Sequence, residues 1–148
     1  MPNDPQNRIL ESQPGHLIRR AHQHSSAVFM EETRNLDVTP PQYATLVIIE
    51  QNPGIDGATL SDRAAFDRAT VGSILDRLEK KGWVVRKPHP HDRRVKENFI
   101  TTAGKRLLSK MASARTRITS RTLNGLTEPE QKQLLRLLTR LVTSNDTK

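Results

Sequence analysis

The hydrophobic positions of this chain recur mostly three and four residues apart, which is the spacing of one face of an α-helix. Prolines, glycines and capping residues interrupt this pattern and indicate where each helix begins and ends. Together they predict six helices, over about residues 16–36, 40–51, 57–64, 68–81, 103–123 and 127–142. The polar residues 1–14 and 144–148 are predicted to be flexible tails.

Between the fourth and fifth helices the pattern changes to one that favours β structure. Residues 83–86 and 95–101 predict two strands, and the segment that starts at Pro88 predicts a turn, because two prolines cannot lie inside a strand. Such a ribbon is marginal alone and must pack on the preceding helices. Ile55 is predicted to make a one-residue strand contact. The fold class is therefore mainly α with a small β-wing.

The succession of short helix, tight turn, capped helix and basic ribbon over residues 57–101 indicates a DNA-binding unit. The fourth helix would bury Val71, Ile74 and Leu78 and present short polar residues outward, so that its backbone can lie deep in a major groove. Asp92 is expected to orient one wing arginine while the other enters a minor groove. The residues predicted to contact DNA are Thr59, Arg68, Thr70, Ser73, Arg77, Arg86, Arg93, Arg94 and Lys96.

The composition is consistent with a polyanionic partner, but it does not show which surface of this chain binds that partner. The net charge is +8, and basic residues are in excess both in 68–96 and in 105–148. The absence of cysteine excludes thiolate catalysis and suits a reducing cytosol. The chain also lacks the apolar core of a signal peptide and a long apolar run, so a cytoplasmic location is expected. It has neither a nucleophile elbow nor a phosphate-cradling glycine loop, which predicts no enzyme activity and no cofactor.

Parts of the sequence also suggest a metal-binding protein, a membrane-surface protein or a non-specific nucleic-acid-binding protein. The pairs His22-x-His24 and His89-x-His91 suggest a metal, but helix positions two apart point in different directions and no further ligand is evident, so no metal is predicted. A membrane-surface protein is disfavoured because the basic fifth helix lacks a bulky aromatic face. A non-specific nucleoid or RNA-binding protein stays open as the alternative, and strong preference for one operator would exclude it.

The sequence resembles the MarR family of winged helix-turn-helix regulators. The resemblance rests on residues 67–71 (DRATV), 75–86 (LDRLEKKGWVVR), 92–94 (DRR) and 100–104 (ITTAG), and extends more loosely over 16–142. It implies a homodimer on a palindromic operator, usually a repressor, with dimerisation helices in 15–36 and 103–143 and a DNA-binding lobe in 37–102. It also implies a recognition face of Arg68, Thr70 and Ser73, with Arg93 and Arg94 in the wing.

The resemblance further implies a cleft that takes a small aromatic acid, and it is nearest to regulators of aromatic or heteroaromatic acid breakdown. A planar carboxylate would pair with an arginine while its ring stacks on tyrosine or histidine. The candidate ligand-binding residues are His16, Arg19, His22 and Tyr43. The alternative is that these side chains face solvent or bond across a subunit interface.

Overall fold

A computed structural model of the chain describes residues 9–146. Within them, a single 3-10 turn at Leu10–Ser12 precedes six α-helices and one antiparallel sheet. The elements are α1 Pro14–Glu32, α2 Pro40–Gln51, β1 Ile55–Asp56, α3 Gly57–Ala64, α4 Arg68–Lys80, β2 Val84–Pro88, β3 Lys96–Ile100, α5 Thr102–Thr122 and α6 Glu128–Thr143.

The helices of the central lobe begin and end where their capping residues predict. Thr39 caps α2 in a capping box with Gln42, and prolines occupy its first turn, where no N–H is needed. The bounds of α2 and α3 match the prediction residue for residue, and α4 ends one residue early at Lys80. Gly82, with a φ of 73°, supplies the left-handed residue that ends α4.

The first helix and the tails differ from the prediction. Pro14, assigned to the N-terminal tail, is the first residue of α1, and a 3-10 turn lies before it. The helix ends at Glu32, four residues early, and turns follow over residues 33–37, where Asp37 has a φ of 52°, outside right-handed helical space. Residues 144–146 form a hydrogen-bonded turn, whereas 1–8 and 147–148 lie outside the described residues.

The sheet has the strand order β1-β3-β2, with both pairs antiparallel. The β2–β3 hairpin pairs Val84 with Ile100 at its base and Pro88 with Lys96 near its tip. Pro88 was assigned to the turn, but it is the last residue of β2, a strand end where proline is tolerated. The strand β1 adds Ile55 and Asp56 to the free edge of β3, one residue more than predicted.

One core joins α2, α3, α4, the sheet and the first half of α5. Leu46, Ile49, Leu60 and Leu78 are completely buried in it. The helix α6 has no buried residue, and its apolar side chains are about half exposed. The same holds for Leu17, Ile18 and Met30 of α1. A single subunit therefore leaves the apolar faces of its first and last helices uncovered.

Gly104 provides a test of this packing, because α5 begins against the wing at this residue. A Cβ at this position would clash with the Trp83 carbonyl oxygen and lie 2.7 Å from Cγ1 of Ile100. We expect Gly104→Ala to lower the free energy of unfolding by about 1–3 kcal/mol, as overpacking does. Gly72→Ala is the matched control: it has nothing within 4 Å of the added carbon, and we expect a gain of about 0.5–1 kcal/mol.

Urea unfolding of both variants at one protein concentration makes the comparison, since the stability of an oligomer depends on concentration. Equal stabilities of the two alanine variants would contradict the close approach of α5 to β2.

Candidate nucleic-acid interface

Two aspartates fix the start of the two helices on which the interface is built. The carboxylate of Asp56 accepts a 2.7 Å hydrogen bond from the Thr59 amide, and that of Asp67 accepts a 2.8 Å bond from the Thr70 amide. These bonds hold the pKa of each aspartate below its ordinary value. Between the helices, Ala65 adopts a φ of 56° and makes the sharp change of direction. The angle between α3 and α4 is therefore set by local contacts.

The helix α4 is buried on one side and open on the other. Val71, Ile74, Leu75 and Leu78 face the core. The exposed residues of α4 are basic residues, one alanine, short hydroxylated residues and two acids: Arg68, Ala69, Thr70, Ser73, Asp76, Arg77, Glu79 and Lys80. This surface has the short side chains that close approach to a major groove requires.

The first turn of α4 is already engaged by Asp67. The Thr70 hydroxyl donates to the second oxygen of that carboxylate at 2.9 Å. The Thr70 oxygen therefore faces its surroundings as an acceptor. The pKa of Asp56 on the neighbouring α3 is lowered first by the Thr59 amide and, more weakly, by the charge of Arg68. Arg68 and the exposed Thr59 thus belong to the same part of the surface.

Arg86 does not lie on this surface in the way the sequence predicted. Its guanidinium donates to Glu79 at 3.0 and 3.2 Å and to Asp76 at 2.8 Å, and its side chain is only 19% exposed. Its hydrogen bonds also hold the pKa of Glu79 below its ordinary value. The charge of Arg86 serves to join β2 to α4, so we expect it to contribute less to DNA binding than the exposed cations do.

The wing loop holds one arginine in place while leaving it open to solvent. Both oxygens of the Asp92 carboxylate accept from Arg94, at 3.1 and 3.2 Å, and the Arg94 side chain is 91% exposed. Arg93 and Lys96 are also exposed. The predicted pairing of Asp92 with one arginine is present, and that arginine is Arg94.

The candidate ligand residues lie in two places within one subunit. His16 and Arg19 contact each other at 3.2 Å on the first turns of α1, and His22 lies exposed about one turn farther on. Tyr43 instead packs on Phe29, with 5.9 Å between the ring centroids. Residues 16 and 29 are about 20 Å apart along the helix axis, so one subunit does not bring Tyr43 to the His16–Arg19 pair.

Several residues of this region carry contacts that the sequence analysis missed. Asp76 and Glu79 neutralise Arg86, and Lys81 contacts Asp37 from across the lobe. The three-residue spacing of the two acids on one helix side was the available signal for the first. Among residues 9–146, no three His, Asp or Glu side chains cluster closely enough to hold a metal, and no helix has the length and apolarity of a membrane span.

Comparison with known proteins gives a consistent result. The sequence profile of the MarR family matches residues 38–96. The transcriptional repressor NicR of Pseudomonas putida is 30% identical over 90% of this chain and 85% of its own length. A probable transcriptional regulator of Pseudomonas aeruginosa superposes with a TM-score of 0.84 at 32% identity, covering 89% of this chain and 98% of that one.

A third relative is BpsR of Bordetella bronchiseptica, whose DNA binding is regulated by 6-hydroxynicotinic acid. It superposes with a TM-score of 0.80 at 27% identity, over 86% of this chain and 97% of its own.

The separate roles of Arg86 and Arg94 can be distinguished by the salt dependence of binding to duplex DNA. We expect Arg94→Ala to lower the slope of log affinity against log salt by about one unit, because one phosphate neighbour is lost. Arg86→Ala should weaken binding by exposing the charges of Asp76 and Glu79, with the slope changed by well under one unit. Fluorescence anisotropy with a labelled duplex at several salt concentrations measures the salt slope of both variants. A slope lowered by a full unit in Arg86→Ala would show that Arg86 contacts a phosphate.

Proposed function

Because this chain belongs to the MarR family and is a DNA-binding transcriptional regulator, we propose that it represses transcription as a homodimer on a palindromic operator. We further propose that a small aromatic or heteroaromatic acid releases it. The observation that carries the DNA-binding part is the open side of α4 next to the wing, where Arg94 is held by Asp92 and left 91% exposed.

We divide the proposed DNA contacts into those to base edges, those to the phosphate backbone and those in the minor groove. Arg68, Thr70 and Ser73 are close enough to the start of α4 to contact base edges, and Thr59 and Arg77 flank them on the backbone. Arg94, which Asp92 holds in place, contacts phosphate together with Lys96 from the same loop. Arg93, the wing arginine that Asp92 does not hold, enters a minor groove.

The exposed apolar side chains of α6 support the proposed second subunit. On α6, Leu135, Leu137, Leu138, Leu141 and Val142 are 42–57% exposed, and no residue of that helix is buried. Five such side chains on one 16-residue helix exceed what a surface helix carries without a partner. A second copy that pairs α6 and α1 with their counterparts would cover them, in line with dimerisation segments at 15–36 and 103–143.

Selection of bound fragments from genomic DNA, followed by sequencing, tests the DNA-binding part. We expect a two-fold symmetric consensus with half-sites about one helical turn apart, preferred over random duplex by about 10³-fold or more. Ser73→Ala and Arg68→Ala should each cost about 1–3 kcal/mol on the consensus and relax the preference at one symmetric position. Lys105→Ala, an exposed lysine at the start of α5, is the control and should retain the preference.

A selection that yields no symmetric consensus, with all duplexes bound alike, would favour the alternative of a non-specific nucleoid or RNA-binding protein.

The proposed effector site lies on α1. A carboxylate would pair with Arg19, with His16 and His22 beside it, and an aromatic ring would pack on the exposed Leu17 and Ile18. Tyr43 can contribute only if the dimer brings it from elsewhere. The relative regulated by 6-hydroxynicotinic acid supports the ligand class.

A panel of benzoates, nicotinates and their hydroxylated derivatives tests this site. At least one member should raise the melting temperature and release operator DNA, because only a ligand that prefers the unbound conformation can shift the equilibrium. Arg19→Met should abolish both responses while operator affinity without ligand stays unchanged. Arg20→Met, also exposed on α1, is the matched control and should respond as the wild type does.

No response to any acid would remove the effector part of the proposal. A response that survives Arg19→Met would place the ligand elsewhere.

A further inference from the structure

The α1–α2 loop and the end of α4 meet at a single ammonium group. Lys81 Nζ donates to the main-chain carbonyl of Asp37, lies 3.3 Å from the Asp37 carboxylate and 3.4 Å from the Gln42 side-chain oxygen, and sits 4.8 Å from the centre of the Trp83 ring. We call Lys81, Asp37, Gln42 and Trp83 the Lys81 latch. The ammonium therefore donates hydrogen bonds to two oxygens and lies within ion-pair distance of a third, and the Lys81 side chain is only 25% exposed.

The loop side of the latch is rigid. Asp37 lies between two buried anchors, because Thr33 is 2% exposed and Val38 is 1% exposed. The Thr33 hydroxyl donates to the Phe29 carbonyl at 2.8 Å and approaches the Val38 carbonyl at 3.5 Å. Asp37 itself is held at a φ of 52°, which costs a non-glycine residue about 1–2 kcal/mol. The contact with Lys81 therefore acts on a carbonyl that cannot move freely.

The other side of the latch is the last turn of the recognition helix. Lys81 is the C-cap of α4, and its own amide bonds back to the Arg77 carbonyl. Gln42 belongs to the capping box of α2, where its side-chain oxygen also accepts from the Thr39 amide at 3.2 Å. Lys81 thus connects the end of α4 directly to the start of α2 and to the loop that leaves α1.

Stability is a poor explanation for this arrangement. The Asp37 carboxylate is 93% exposed, and ion pairs with such a partner contribute about 0–1 kcal/mol. The strain at Asp37 is at least as large as that contribution. The end of α4, the start of α2 and the α1–α2 loop are already held together by the shared core, so a polar contact among them that contributes little free energy acts chiefly on their relative orientation.

We propose that Lys81 is a positioning residue that fixes the tilt of α4 relative to the dimerisation helices, and with it the half-site spacing that the protein accepts. This inference rests on the proposed homodimer on a palindrome. A helix of this length is about 20 Å long, so a tilt of about 5° at its C-terminus moves its N-terminus by about 2 Å. Applied in both subunits, that displacement is comparable with the roughly 3.4 Å rise of one base pair.

The test uses the full-length protein, the consensus operator, and variants of it with one base pair added or removed between the half-sites. The wild type should lose at least about tenfold in affinity when the spacing changes, because both recognition helices then miss their groove. Lys81→Met keeps the length of the side chain and removes its charge, and we expect the loss on changed spacing to shrink about fivefold or more, with the salt slope unaltered. Lys80→Met, the exposed neighbour, should retain full discrimination.

Trp83 gives a second measurement that needs no DNA. It is the only tryptophan of the chain, so the emission reports on the surroundings of this one ring, which include the Lys81 ammonium. Lys81→Met should change the emission of the free protein, and Lys80→Met should not. Unchanged emission in Lys81→Met would show that the ammonium does not hold its place beside the ring, and would overturn the latch.

Two further results would also overturn the proposal. The first is wild-type spacing discrimination in a folded Lys81→Met protein. The second is a salt slope lowered by about one unit with discrimination intact, which would make Lys81 a phosphate contact. If Lys81→Met does not fold, Asp37→Gly replaces it, because glycine relaxes the loop and leaves α4 untouched. Discrimination should fall in Asp37→Gly, and full discrimination there would contradict the role of the latch.

A failure of the proposed function is recognised separately. It would show as a wild-type protein that prefers no palindrome at all, while the emission of Trp83 still decides whether Lys81 holds the loop.

Discussion

The burial of one apolar stripe on α4 is the constraint on which the rest of the structure depends. Val71, Ile74, Leu75 and Leu78 are all buried, and each fully buried side chain of this size contributes about 1.5–3 kcal/mol. Together they fix the rotation of the helix about its axis, so the opposite side must face solvent. Which residues can reach DNA is therefore decided by the hydrophobic core, and the polar residues occupy the side that the core leaves open.

Electrostatics refines that outcome by deciding which cations stay free. Within the described lobe, Arg86 is held by Asp76 and Glu79, and Lys81 is held by the α1–α2 loop. Both stabilise the orientation of α4, one from the wing side and one from the loop side. Arg94 is treated differently, since Asp92 restrains it without covering it. The net charge of the segment thus overstates the number of cations available to phosphate, because part of it serves to hold the recognition helix.

Local signals in the sequence were sufficient to predict most of the fold. They were insufficient where a contact between residues far apart in the sequence determines the local structure. The bounds of α2 and α3 follow from Thr39, Asp56 and their neighbours, so the sequence predicted them to the residue. The turn at Asp37 could not be predicted, because its positive φ coincides with a contact to Lys81, 44 residues away. The ion pairs of Arg86 were missed for the same reason: its partners lie on another element. Arg19 and Tyr43 were expected to bind the carboxylate and the ring of one ligand, but within one subunit they lie near opposite ends of α1.

The division of the molecule into two apolar systems bears on how a ligand could act. The core of the DNA-binding lobe ends along α5 near Met111 and Ala114, whereas α6 contributes no buried residue to it. A ligand bound beside the first turns of α1 is distant from this core, but the end of α1 enters it through Phe29, which belongs to the same buried cluster as the apolar stripe of α4. A displacement of α1 can therefore reach α4 through Phe29, through the α1–α5 ion pairs of Glu32 with Arg117 and Arg121, and through the loop that contacts Lys81. Because that loop is rigid and strained, a displacement of α1 would be transmitted to α4 as a change of tilt, with the recognition surface itself left intact.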